Sequence, residues 1–426
     1  MDFRKSQQFL KKALKYIPIA SQTFSKSYLQ YPDNYPLFAK NGIGGKIKDI
    51  DNNTYIDLIM GLLPITLGYN DKDVNKAILD QLKKGITFSL PTTLEYNLAK
   101  MLVDLIPSAE QVRFAKNGTD VTSGAIRLAR GVTRRDKIIT CGYHGWQDWY
   151  IGTTPRNLGV PKKIRDLSIA VKFNDIEGVH KIIKNNKNNI AAMILEPMSF
   201  TEPEKDYFNE LQDLLRKNKI IFIFDEIITG FRFSLGGAQK YFGVTPDLSC
   251  FGKGMANGMP LSALVGKKKY MNKMKDIFFS GTFGGESLSL AASIATIKKI
   301  KKKKVINSLW SKGYIIKNHI QKEIKKYQLE RFISINGKEP WTLINFKNFK
   351  KINKFQLKYI FMKNMASKKV LSLGTNNICY AHSKNDLEII KKAYTNTFKL
   401  IYDIVFENKK YNYKSIKPIF VVRKND

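Results

Sequence analysis

Apolar positions change their period along the chain, and each change marks an element. Phe9, Leu10, Ala13, Leu14 and Ile17 recur at helical spacing, which predicts an N-terminal helix or arm within residues 3–30. Over residues 37–60, short apolar pieces (37–39, 47–50 and 55–58) alternate with turn-forming stretches (41–45 and 51–53), the pattern of a small antiparallel meander. From about residue 73 the period becomes helical: Val74, Ala77, Ile78 and Leu82 make one face, and Leu94, Leu98, Leu102 and Leu105 another. Residues 113–115 read as a strand, 125–130 as a helix and 137–141 as a strand again. Residues 190–225 predict one βαβ unit: an apolar run from Ile190 to Leu195, a stripe of Tyr207, Phe208, Leu211, Leu214 and Leu215, and a second run from Ile220 to Phe224. Residues 248–251 and 261–265 are further strand candidates. Strands alternating with helices predict a parallel sheet with right-handed crossovers. Beyond about residue 305 the pattern is mixed and lysine-rich, ending in a helix-like stretch over 386–393. The expected division is an arm and meander over 1–72, a large domain over 73–305 and a smaller α+β domain over 306–426.

The run Ile221, Phe222, Ile223, Phe224 stops abruptly at two carboxylates, Asp225 and Glu226. Four bulky apolar residues in a row suit a strand buried on both faces. In open α/β sheets, ligands sit at the carboxyl ends of the strands, where Asp225 would lie. A carboxylate buried there wants a cation, and the candidate is the protonated ring nitrogen of a bound cofactor. Asn117-Gly118-Thr119 joins a strand-like piece to a helix-like one, so its N–H groups and hydroxyl could hold an anion; the same residues also simply cap helices. Tyr143 and His144 follow another strand end, where an aromatic could stack on a planar ring or merely pack. Glu196, after its own strand, would face the same crevice or else point to solvent. Lys253 lies between Gly252 and Gly254 after an apolar strand. A desolvated amine in that place could form a Schiff base, although a solvated loop lysine fits the same residues.

A net charge of +36 raises the question of nucleic acid, yet lysine, asparagine and isoleucine are abundant along the whole chain and no nucleic-acid motif is present. The densest lysine run, residues 298–304, reads as the solvated end of a helix. Cys141, Cys250 and Cys379 are odd in number and widely spaced, which predicts buried free thiols, with no disulfide framework and no metal site. No apolar run is long enough to span a bilayer, and the N-terminal residues lack the apolar core of a signal peptide, so a cytoplasmic protein without membrane or nucleic-acid partners is expected.

Taken together and in order, Asn117-Gly118-Thr119, Tyr143-His144-Gly145, Leu195-Glu196-Pro197, residues 225–232, Gly252-Lys253-Gly254 and Gly281-Thr282-Phe283 resemble the class III aminotransferases, and within them the glutamate-1-semialdehyde 2,1-aminomutase branch. The similarity runs from about Leu37 to about Leu387. It implies the fold type I of pyridoxal-phosphate enzymes: a large domain with a mostly parallel, mixed seven-stranded sheet between helices, and a smaller α+β domain built from both chain ends. It further implies that Lys253 holds pyridoxal phosphate as an internal aldimine, that Asp225 pairs with the pyridine nitrogen and that Tyr143 stacks on the ring. Gly118 and Thr119 would hold the phosphate, and Ile227 would also contact the cofactor. Glu196 would lie near the ring and the lysine. Thr282 would reach the phosphate of a neighbouring subunit, hence a homodimer with shared sites. The implied activity is a ping-pong transfer from an amino donor to a carbonyl acceptor, with an aminomutase or racemase as the alternative and a non-catalytic basic scaffold as the alternative of another class. That branch carries an N-terminal arginine for its substrate carboxylate, and residues 19–26 here contain none; it also follows its phosphate threonine with Gly-Asn-Pro, where this chain has Gly284-Gly285-Glu286-Ser287. Those departures point away from tetrapyrrole precursors and toward a specialised carbonyl substrate, such as a sugar or capsule precursor.

Overall fold

Ile221 and Ile223 point to one side of their strand and Phe222 and Phe224 to the other, and both sides are covered. The computed structural model describes residues 1–198 and 200–416. Its described residues divide into two units, one formed by Met1–Asp71 with residues 307–416, the other by Lys72–Ile306.

The second unit is built on a seven-stranded sheet in the order Gln111–Ala115, Ser262–Gly266, Leu248–Phe251, Ile221–Asp225, Ile190–Leu195, Lys137–Cys141, Ser168–Ala170. The last five run parallel to one another. Ser262–Gly266 runs antiparallel to both of its neighbours. This is the mostly parallel, mixed α/β sheet expected from the sequence. On one face, Val121, Ala125, Leu128 and Ala129 of the helix Gly118–Thr133 pack over Ile138, Ala192, Ile194, Ile221 and Ile223. On the other, Val179 of the helix Ile176–Asn185 and Phe208, Leu211 and Leu215 of the helix Tyr207–Lys217 cover Ile139, Met193, Leu195, Phe222 and Phe224. Each large apolar side chain so buried contributes about 1.5–3 kcal/mol, which explains why the central strands read as unbroken apolar runs. The short edge strand Ser168–Ala170 carries too few residues to show a period and is absent from the sequence reading.

In the first unit, the helix Arg4–Ala13 is followed by three short 3-10 turns. The meander consists of Ala39–Ile43, Lys46–Asp49 and Thr54–Asp57, with Val370–Leu371 added parallel to the last. Asn41, Gly42 and Ile43, expected in a turn, are strand residues. The ring of Tyr69 lies 2.7 Å from where a Cβ on Gly42 would stand, so glycine serves close packing at that position. A second sheet, Ile333–Lys338, Trp341–Phe346 and Thr375–Asn377, is antiparallel, and the helices Val305–Lys326, Lys354–Ser367 and Lys384–Phe406 complete an α+β unit. All three cysteines are buried and none is in a disulfide. The lysine run does close a helix, Ser287–Lys302, although Lys299 is engaged with Asp73 at 2.7 Å.

Candidate active site

Asp225 is the last residue of its strand and is buried. Its Oδ2 lies 2.8 Å from Nδ1 of His144, and its Oδ1 accepts the Ile227 N–H at 3.2 Å. An imidazole Nδ1–H donating here satisfies part of the carboxylate and leaves acceptor capacity on it. His144 is enclosed. Its ring lies parallel to that of Trp149 and edge-on to that of Tyr150, and its carbonyl accepts the Thr122 hydroxyl at 2.9 Å. Its other ring nitrogen, Nε2, is buried with no hydrogen-bond partner among the described residues. The partner of Asp225 within the protein is thus a histidine that the sequence marked only as the neighbour of a stacking aromatic. Its place in Tyr143-His144-Gly145 at a strand end was the one signal available.

Glu196 directly follows the neighbouring strand Ile190–Leu195 and is buried, so it is not the solvent-facing carboxylate that its position alone allowed. Its Oε2 accepts the Tyr143 N–H at 2.9 Å, which fixes the chain just beyond Cys141. Tyr143 remains 39% exposed, so part of its surface can meet a ligand. Burial, and then the charges of Asp225 and Glu196, push its phenol pKa up, so the ring stays neutral.

Lys253 opens a 3-10 turn, Lys253–Ala256, directly after the strand Leu248–Phe251. Its φ of +41° is rare for a residue with a side chain, a local strain that clusters at functional sites. Burial lowers its pKa; the charges of Glu196 and Asp225 oppose that shift and Arg232 reinforces it. Both carboxylates therefore act on this amine, and desolvation favours its neutral, nucleophilic form. Ile227 sits between the two glycine-bearing loops. A Cβ on Gly252 would come within 3.0 Å of its Cδ1, and one on Gly118 within 3.1 Å.

At the start of the helix Gly118–Thr133, the Asp120 carboxylate accepts the N–H groups of Asn117 at 2.7 Å and Lys116 at 3.3 Å. The N–H groups of Gly118 and Thr119 lie in the first turn, where no intrahelical acceptor exists. The Thr119 hydroxyl is buried without a hydrogen-bond partner among the described residues. Gly145, at φ +104°, lies so close that a Cβ would stand 2.5 Å from that hydroxyl, so only glycine fits the turn that encloses it. Free helix N–H groups, a helix dipole and an unpaired hydroxyl form an anion cup. Ser262 Oγ donates to the Asn117 carbonyl at 2.8 Å and so ties the cup to the strand that follows the lysine loop.

The structure brings Gly118, Thr119, Tyr143, Glu196, Asp225, Ile227 and Lys253 to the carboxyl ends of the strands of one sheet. Thr282 stands differently: it is exposed on a turn after Gly281 and makes no hydrogen bond to a described residue. Glu226, beside Asp225, is fully buried and turned to another task. It accepts the N–H groups of Ala238 at 2.7 Å and Gln239 at 2.8 Å, together with the Thr229 hydroxyl. No group of His, Cys, Asp and Glu with metal-site geometry occurs among the described residues. An anion cup, a depressed amine, a buried acceptor and a half-exposed aromatic fit a flat, phosphorylated nitrogen heterocycle bearing an aldehyde, and two orphaned buried polar atoms, Thr119 Oγ1 and His144 Nε2, mark where polar partners are lacking.

A family model described as aminotransferase class-III matches residues 28–383. The chain is 34% identical over 403 residues to a 3-aminobutyryl-CoA aminotransferase of Cloacimonas acidaminovorans, covering 91% of this chain and 95% of that one. It is 38% identical over 333 residues to a glutamate-1-semialdehyde 2,1-aminomutase of Archaeoglobus fulgidus, covering 73% and 78%. Among solved structures, the FumI protein of Sphingopyxis sp. MTA144 in its PLP internal aldimine form superposes with a TM-score of 0.87 at 25% identity, covering 94% of this chain and 97% of that one.

Proposed function

Because the chain belongs to the class III aminotransferases, enzymes that use pyridoxal phosphate, we propose that it moves an amino group from an amino donor to a carbonyl acceptor in a ping-pong cycle that depends on Lys253. The cofactor, when bound, supplies an aldehyde that captures amines and a ring that accepts the electron pair left when a C–H proton departs. Lys253 would supply the amine that holds the cofactor and, as a free amine, would serve as the base that takes up and returns a proton. Asp225, oriented by His144, would accept the ring N–H and keep that nitrogen protonated. The Gly118 and Thr119 N–H groups and the Thr119 hydroxyl would hold the phosphate. Tyr143 and Ile227 would contact the ring, and Glu196 holds the Tyr143 backbone while favouring the charged form of Lys253. Thr282 serves the phosphate of a second copy, so the working form is a homodimer of shared sites. Exposure of Phe283 beside it, and of Ile86, Phe88 and Leu90 on the same unit, supports that reading.

The observation that carries this assignment is a desolvated Lys253 acted on by two carboxylates at the end of the sheet. Purified protein given pyridoxal phosphate is expected to develop a visible absorption band that borohydride fixes covalently, and Lys253→Ala to lose both. A protein that takes up no cofactor and stays colourless would overturn the assignment. A specialised carbonyl acceptor, such as a sugar or capsule precursor, is the substrate class we favour, because residues 19–26 lack arginine. The 38% identity to an aminomutase supports a second reading, intramolecular transfer. Turnover that requires an added carbonyl acceptor selects the first reading, and turnover of a single amino-carbonyl substrate without one selects the second.

A further inference from the structure

Lys116 and Glu286 lie outside the roles assigned so far, yet they join the two stretches associated with phosphate. Lys116 follows the strand Gln111–Ala115 and immediately precedes Asn117-Gly118-Thr119. Glu286 precedes the helix Ser287–Lys302 and stands four residues after Thr282. Lys116 Nζ donates to Glu286 Oε2 at 2.8 Å and to Ser289 Oγ at 3.2 Å. The same carboxylate caps its helix, accepting the Leu288 N–H at 2.6 Å, the Ser289 N–H at 3.2 Å and the Ser289 hydroxyl at 2.6 Å. The pair is largely shielded, with side-chain exposures of 18% and 12%. Its hydrogen bonds and the Lys116 charge outweigh the cost of burial and hold the Glu286 carboxyl below its ordinary range. A charge pair so shielded and so fully hydrogen-bonded is worth more than a surface ion pair, and breaking it leaves a partly desolvated charge.

The turn between these stretches is held at its other end as well. Arg113 donates to the Phe279 carbonyl and Arg127 to the Phe278 carbonyl, each at 2.7 Å. A Cβ on Gly284 would stand 3.0 Å from the Phe114 carbonyl. The segment around Thr282 is thus clamped to the strand and helix that flank the anion cup, with Lys116–Glu286 closing the clamp on the cup side. Gly284-Gly285-Glu286-Ser287 is also the sequence that departs from the Gly-Asn-Pro of the aminomutase branch, so the departure has a structural counterpart at Lys116.

We propose that Lys116 and Glu286 are a positioning pair that holds the Asn117–Thr119 cup in the shape needed to bind a phosphate group and, from the same anchor, the Thr282 turn in place to reach that of a second copy. This rests on reading the cup as the phosphate site of pyridoxal phosphate. The test compares apoprotein affinities for pyridoxal phosphate and for pyridoxal, which has the same ring and aldehyde without the phosphate, by absorbance titration of wild type, Lys116→Met and Lys116→Met/Glu286→Gln. Lys116→Met is expected to weaken pyridoxal phosphate binding about tenfold and to change pyridoxal binding less than about twofold. The double variant is expected to match the single one, because partners acting as a unit do not add. Thermal melting of the apoproteins checks that all three fold alike. Equal losses for both ligands, no loss for either, or recovery of wild-type affinity in the double variant would overturn the proposal; recovery would assign the defect to a stray Glu286 charge. Failure of the wild type to prefer pyridoxal phosphate over pyridoxal would instead overturn the reading of the cup.

Discussion

Asp225 and Glu226 are adjacent, both acidic and both buried, yet they face different partners. Asp225 meets His144 and keeps acceptor capacity for a ligand, whereas every acceptor direction of Glu226 is filled by the chain over residues 229–239. Asp225→Asn keeps the shape but removes the negative charge that holds a ring nitrogen protonated. It is expected to lower kcat by about 10²–10⁴-fold while changing cofactor affinity far less, measured by steady-state kinetics beside absorbance titration. Near-normal turnover would show that Asp225 has another role. At this scale the sequence was most legible where punctuation surrounded a reactive group: Lys253 between glycines, Thr119 after Gly118, Asp225 at the end of an apolar run. His144 and Lys116 were illegible because their significance lies in contacts 81 and 170 residues away.

Between strand and helix, the element that places Asp225 is stabilised from its far side by Glu226. Burial raises the Glu226 pKa, and the surrounding N–H and hydroxyl donors oppose only part of that shift. Glu226→Gln turns one acceptor oxygen into a donor that faces other donors. The expected outcome is a loss of about 1–3 kcal/mol, read as a lower urea midpoint with an unchanged slope. An unaltered midpoint would show that the cluster relaxes around the amide. Strands of five or six residues buried on both faces announced themselves, since packing on two sides forces a continuous apolar run. Ser168–Ala170, an edge strand of three residues, could not do so, and Asn41–Ile43 was misread because the Tyr69 ring that fills the space at Gly42 comes from outside the local pattern.

For the molecule as a whole, the charge of +36 identifies no partner. The exposed apolar residues Ile86, Phe88, Leu90 and Phe283 are more informative. If these surfaces join two copies, light scattering will give twice the 48.8 kDa of one chain. Phe88→Asp is expected to shift that mass toward the single chain and to weaken cofactor retention with it. A monomeric wild-type protein would remove the homodimer and with it the role of Thr282.

The reversed strand Ser262–Gly266 carries a consequence for how the protein matures. It pairs with Leu248–Phe251, a partner close in sequence, so the hairpin bearing Lys253 can form early. Its other partner, Gln111–Ala115, lies about 150 residues upstream, and only that pairing brings Asn117 to Ser262. Contacts so distant along the chain form late because loop closure opposes them. The amine is therefore expected to be in place before the cup that sits opposite it, and cofactor colour regained in refolding before Ser262–Gly266 pairs with Gln111–Ala115 would overturn that order.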